Sequence, residues 1–120
     1  MKRIFVFGSN LAGIHGAGSA LHARQAYGAQ LKVGEGRTGD AYGIPTKDKF
    51  LRTLPLSYIQ AAVSRFLVYA KEHPELEFEV VKIGCGLAGY KPGDIAPFFK
   101  GHTPNVLLPK SFSNLLPSAL

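Results

Sequence analysis

Twice in this chain a short β-branched and aromatic run passes straight into a glycine-rich loop. The first run is Lys2 to Phe7, followed by Gly8-Ser9-Asn10 and then by glycines at 13, 16 and 18. The second is Phe78 to Ile83, followed by Gly84-Cys85-Gly86-Leu87-Ala88-Gly89-Tyr90. Each loop leads into a helical pattern. After the first, Ser19 to Tyr27 is rich in helix formers and Gly28 is its stop signal; after the second, Pro92, Gly93 and Asp94 open a helix that continues through Ile95, Ala96, Phe98 and Phe99. Strands alternating with helices bury their apolar runs by pairing in a mainly parallel sheet that helices cover on both faces.

The rest of the chain fits that plan. Gly34, Gly36 and Gly39, mixed with charged residues, predict an exposed turn or ribbon, and Asp40 to Thr46 resumes as a short strand ended by Pro45, which leaves Lys47 at a strand's carboxyl end. From Pro55 to Lys71, Ile59, Ala62, Val63, Phe66 and Ala70 recur at spacings of three and four, the apolar stripe of a helix that Pro74 closes. Asn105 to Leu108 reads as a final short strand. A chain of 120 residues with 46% hydrophobic content builds one core, so one α/β domain is expected over 1–110, with 111–120 as a docked or frayed tail. The segment MKRIFVFGSN reads as a strand and not as a signal, and no apolar run approaches the roughly 20 residues that cross a bilayer. Cys85 is the lone cysteine, and His15, His22, His73 and His102 have no ligand spacing with it. No metal, no cofactor, no membrane partner and a cytoplasmic location are therefore expected.

Ligands in open α/β sheets sit beyond the carboxyl ends of the strands, where backbone amides and helix amino termini converge. Both glycine loops lie there. Glycines let the chain approach a ligand with no Cβ in the way, and the following helix offers unpaired N–H groups to a phosphate. The alternative is that these glycines merely make tight turns. No Gly-Lys-Ser/Thr follows the first loop, which excludes a P-loop, and glycines 13, 16 and 18 do not reproduce the dinucleotide order G-x-G-x-x-G. The formal charge is +6, with ten basic against three acidic residues up to Lys71, a balance that favours an anionic ligand or a polyanionic partner.

Three segments in order, GSNLAGIHGAGSALHARQAYGA, AYGIPTKDKF and KIGCGLAGY, resemble the macrodomain superfamily, in particular the branch of terminal ADP-ribose protein glycohydrolase and the DNA ADP-ribosyl glycohydrolase antitoxins. Gly16-Ala17-Gly18-Ser19-Ala20 and Tyr27-Gly28 stand where that branch has its small-residue loop and helix end. Pro45-Thr46-Lys47 matches its central motif, and Ile83-Gly84-Cys85-Gly86 matches its third. The resemblance implies an α/β fold of macrodomain type, three layers α/β/α around a mixed, mainly parallel sheet, with a cleft for ADP-ribose. On that reading Asn10 and the loop from Gly13 to Gly18, with His15, Gly16 and Ala17, meet the distal ribose, and Gly86, Leu87, Ala88, Gly89 and Tyr90 form the diphosphate loop. Gly8, Ser9, Thr46, Gly84 and Cys85 are expected among the ligand-binding residues as well. Lys47 matches the branch's catalytic lysine, whose amine attacks the anomeric carbon.

The chain also departs from the branch. Protein-directed members have an aspartate where Ala88 stands, whereas DNA-directed members have small residues there. The first loop, Leu11 to Ser19, contains no acidic residue, and the aspartate that many macrodomains carry ahead of the first strand to recognise adenine has no counterpart. Three functions stay open: an ADP-ribosyl glycohydrolase acting on nucleic acid or protein through Lys47, a reader of ADP-ribose or a related nucleotide without turnover, and a basic accessory domain for nucleic acid. Among single residues, Cys85 between glycines reads as a small structural residue more than a nucleophile. His15 reads as an exposed loop residue or a ligand contact, Tyr90 as a ligand-stacking ring or a cover for the core, and Asp94 as a favourable charge in a helix's first turn.

Overall fold

The structure, a computed structural model, describes residues 1–117; Ser118 to Leu120 of the expected tail lie outside the described residues. Its sheet has five strands in the order β2-β3-β1-β4-β5. β1 (Lys2–Asn10) is central and pairs in parallel with β3 (Ala41–Lys47) on one side and β4 (Leu76–Val80) on the other. β5 (Val106–Leu107) extends the parallel set, and β2 (Gly36–Thr38) runs antiparallel to β3. The sheet is mixed and mainly parallel. The ribbon expected around Gly34 to Gly39 is the β2–β3 hairpin.

Alternation along β1 divides the core in two. Ile4 and Val6 face one layer, where α2 (Leu56–Glu72) lays its stripe of Ile59, Ala62, Val63, Phe66 and Ala70 onto the sheet, all buried. Phe5 and Phe7 face the other, where α1 (Gly18–Tyr27) packs through Ala20 and Ala23. A strand covered on both faces reads as a continuous apolar run, which is what Ile4 to Phe7 is. α1 ends where expected, at Gly28 with φ +73° in the left-handed region. A Cβ at the neighbouring Gly39 would fall 2.4 Å from the Gly28 carbonyl oxygen, so the hairpin and the helix end touch only because Gly39 has no side chain.

Several boundaries differ from the sequence expectation. β1 does not stop at Phe7 but runs on through Gly8, Ser9 and Asn10, which pair with Ile44, Pro45 and Lys47 of β3. Pro45 sits inside β3, opposite Ser9, and does not end it. The β2 pairing stops at Gly43, so on that side no ladder bond is missed by a residue without an N–H. β4 begins at Leu76 and ends at Val80, earlier than expected, because Val81 makes the last bond to β1, through the Val6 carbonyl, and Ile83 N–H folds back on the Val81 carbonyl. Residues 81–83 thus turn across the top of the sheet. The Pro92 helix is one α-turn, α3 (Pro92–Ile95), continuing as a 3₁₀ turn to Phe99. The Asp94 carboxylate accepts the Lys91 N–H at 2.9 Å, the first-turn role expected of it. α4 (Lys110–Ser113) docks by burying Phe112 against Phe99, ring centroids 5.8 Å apart.

Candidate functional site

The carboxyl ends of β1, β3 and β4 open into one cleft of about 370 Å³. Its floor is the end of β1, Gly8 to Asn10, with Thr46 and Lys47 of β3 on one side and Ile83 and Gly84 on the other. The first glycine loop and the start of α1 form one wall through Ile14, Gly16, Ala17, Gly18, Ser19 and Ala20; Gly86, Leu87 and Ala88 form the opposite wall. Among the described residues two lysines, Lys47 and Lys82, line the cleft, and no Asp or Glu does. Among the described residues Lys47 is in none of the ion pairs. The first turn of α1 carries no acidic residue, and its N-cap, Ala17, has no side-chain hydrogen bond, so the amide end of the helix meets the cleft uncapped. Free N–H groups and two ammonium groups make this a site for an anion.

Two pairs of loop glycines contrast. Gly13 and Gly84 are required by packing: both have positive φ, a Cβ on Gly13 would lie 2.3 Å from the Lys32 backbone, and one on Gly84 would lie 3.2 Å from the Ile95 side chain. Among the described residues no neighbour excludes a side chain at Gly16 or Gly86. Neither has a left-handed φ, and a Cβ on either would meet no atom within 4 Å. Both line the cleft. Tight turning explains the first pair and leaves the second unexplained.

Side chains around the floor are committed to holding the loops. The Asn10 amide donates to the Ile14 carbonyl at 2.7 Å and accepts the Ile14 N–H at 3.0 Å, bracing the first loop from inside. The Ser9 hydroxyl donates to the Gly34 carbonyl, and the Thr46 hydroxyl to the Ser9 carbonyl at 3.3 Å. Lys47 is half-buried, and its carbonyl accepts the Leu11 N–H at 2.9 Å.

Of the residues singled out in sequence, Gly8, Ser9, Asn10, Gly16, Ala17, Gly18, Thr46, Lys47, Gly84, Gly86, Leu87 and Ala88 come together in this cleft. Gly13, His15, Cys85, Gly89 and Tyr90 are outside its lining. His15 is not the exposed loop residue expected. It is fully buried against Phe7, ring centroids 5.3 Å apart, and neither ring nitrogen has a hydrogen-bond partner. Burial holds its pKa below the ordinary imidazole value; the Val33 backbone, which faces the ring without meeting hydrogen-bond geometry, opposes this in part, and Arg24 adds a smaller lowering. The Cys85 thiol is half-buried beside the core and donates to the Ile83 carbonyl at 3.5 Å, with burial pushing its pKa up; a raised pKa suits a structural thiol. The Tyr90 hydroxyl donates to the Leu54 carbonyl at 2.7 Å, so its ring covers the core edge. Ile14, Ser19, Ala20, Leu51, Lys82 and Ile83 line the cleft without having been singled out as ligand contacts. For Lys82 a signal existed, a cation directly ahead of a glycine loop. Among the described residues there is no group of three or more His, Cys, Asp or Glu able to hold a metal ion, and no helix is long and apolar enough to cross a membrane.

No protein-family model matches the sequence, and no curated protein matches it. Among solved structures the chain is similar to the macrodomain of Mycobacterium tuberculosis DarG, with a TM-score of 0.70 over 98% of this chain and 90% of that one, at 19% sequence identity. The chain has the macrodomain fold, three layers α/β/α around a mixed sheet.

Proposed function

We propose that the cleft binds ADP-ribose and that the protein is an ADP-ribosyl glycohydrolase, releasing ADP-ribose from nucleic acid or protein through Lys47. The observation that carries the binding reading is the pair Gly16 and Gly86: bare backbone on opposite walls, with no packing reason for either to lack a side chain. A diphosphate running between the two walls, beside Lys47 and Lys82 and over the uncapped start of α1, uses every one of these features. The macrodomain fold supports the same ligand. For turnover, the Lys47 side chain gives up a proton and its nitrogen attacks the anomeric carbon of the distal ribose. The bond to the acceptor breaks, its electron pair leaves with the acceptor, which takes up a proton, and water then releases the sugar from the lysine adduct. A lone cysteine suits the reducing cytoplasm in which such a protein would work.

A reader without turnover is the second reading, favoured by one observation: among the described residues no carboxylate lines the cleft to assist water. The nearby Asp48 carboxylate accepts the N–H groups of Phe50 and Arg52. Calorimetric titration with ADP-ribose tests the binding claim. Wild type and Lys47→Ala are expected to bind and Gly86→Glu to fail; no heat at millimolar ligand would overturn the assignment. Release of ADP-ribose from modified oligonucleotide or protein by wild type, and its loss in Lys47→Ala, then separates enzyme from reader.

A further inference from the structure

Beyond Lys47 the chain makes a turn closed on itself. Asp48 N–H donates to the Arg52 carbonyl at 2.7 Å and Leu51 N–H to the Asp48 carbonyl at 3.1 Å. The Asp48 carboxylate accepts the N–H groups of Phe50 at 2.8 Å and Arg52 at 2.9 Å, and Thr53 bridges back to Lys47. Those two N–H groups hold the Asp48 carboxyl below its usual range. The Thr53 hydroxyl donates to the Ala88 carbonyl at 2.9 Å, tying the turn to the second glycine loop, and Leu51 enters the cleft lining. Phe50 is the residue left facing outward, 64% exposed. The Lys49 ammonium lies 5.3 Å and the Arg52 guanidinium 5.2 Å from its ring centroid.

One exposed phenylalanine on a surface needs no explanation. This one is fixed outward by a hydrogen-bonded turn, carries a cation on either side of it in sequence, and adjoins the residue that lines the cleft mouth. We propose that Phe50, Lys49 and Arg52 form a stacking platform for single-stranded nucleic acid, holding the strand so that its modified nucleotide enters the cleft at Lys47. A flat apolar ring between two cations matches what a nucleotide offers, a π-face and a phosphate. An acidic peptide would use the cations and leave the ring idle, and a duplex hides its base faces inside the stack. The excess of positive charge on the chain favours the polyanion at longer range. The orientation towards Lys47 rests on the cleft's proposed function; the platform itself can be tested without it.

The test is fluorescence anisotropy of the full chain with a short labelled oligothymidylate and, separately, a labelled polyglutamate peptide, over a series of salt concentrations. Calorimetry with ADP-ribose is run on the same proteins. Phe50→Ala is expected to weaken oligothymidylate binding about tenfold and Phe50→Trp to retain it. Replacing Lys49 and Arg52 together by Gln should weaken it and reduce the slope of log affinity against log salt by about 1.4. ADP-ribose binding should be unaltered in all of them, and melting curves should match wild type, because the altered side chains are exposed. Oligothymidylate binding indifferent to Phe50→Ala would overturn the platform. So would tighter binding of polyglutamate, which would assign the surface to acidic peptides. Oligonucleotide binding without ADP-ribose binding would leave the platform standing and overturn the reading of the cleft; the converse would overturn the platform alone.

Discussion

The two glycine loops come from the same sequence device and differ in the anchor each adds to its backbone bonds. The first, between Asn10 and Gly18, is held from beneath. Asn10 clamps Ile14, Gly13 presses on the Lys32 backbone, and the His15 ring is sunk against Phe7 with both nitrogens unpaired. The second, from Gly84 to Tyr90, is held by satisfied polar bonds: Tyr90 N–H to the Gly84 carbonyl at 2.8 Å, Gly89 N–H to the Gly86 carbonyl at 3.0 Å, and the Tyr90 hydroxyl to the Leu54 carbonyl. An aromatic plug with unpaired nitrogens anchors by burial and pays in desolvation, whereas a paired hydroxyl anchors by direction. The first loop should therefore depend on packing and on pH, and the second on neither to the same degree.

The sharpest break of that comparison is Gly13→Ala. A Cβ there meets the Lys32 and Val33 backbone at 2.3 to 2.5 Å at a φ of +68°, and urea unfolding should show a loss of about 3 kcal/mol. A loss below about 1 kcal/mol would mean that the first loop is not seated as described.

Next in size is His15→Leu, which keeps an apolar plug and removes two unpaired nitrogens; at neutral pH it should be stabilised by about 1 kcal/mol. Its pH dependence carries the sign. Because the folded-state pKa lies below the ordinary value of 6.5, the unfolded chain takes up the proton first as pH falls. The stability that neutral His15 allows is present above about 6.5 and is lost as pH falls below it. Between about pH 7.5 and about pH 5, wild type should thus lose more stability than His15→Leu. Equal slopes in denaturant titrations would show that His15 is not buried neutral.

The smallest effect on stability belongs to Gly16→Ala and Gly86→Ala, within about 0.5 kcal/mol by thermal unfolding, since neither Cβ meets a neighbour. ADP-ribose affinity should nevertheless fall by about 1 kcal/mol or more in each, the new methyl groups standing where the ligand approaches. A stability loss with intact affinity would return these glycines to a role in turning the chain.

Much of this architecture is legible in the sequence. The α2 stripe is a periodic signal that names its own buried face, and β1 announces burial on both faces by its unbroken apolar run. The strand-loop-helix order put both glycine loops and Lys47 at one end of the sheet. Pro45 misled because whether a missing N–H matters depends on where the neighbouring strand stops, and the short β2 is set by pairing, not by its own residues. The limits of β4 are hidden for a similar reason: Val81 to Ile83 have strand-like side chains, but the Ile83 N–H folds back on the Val81 carbonyl and takes the chain off the edge of β1.

Composition and spacing alone determined the α/β layering, the helix faces and the gathering of small residues at the strand ends, since these follow from periodicities of two and of three to four along the chain. Tertiary structure decided which members of each loop face the cleft. His15, Cys85 and Tyr90 lie in the same short segments as Gly16, Gly86 and Leu87, yet turn to the core or its edge, while Lys82 joins the lining. In irregular backbone no period relates a residue's position to its direction, so only the contacts each loop makes with β1, α1 and the Lys47 turn settle what a side chain meets.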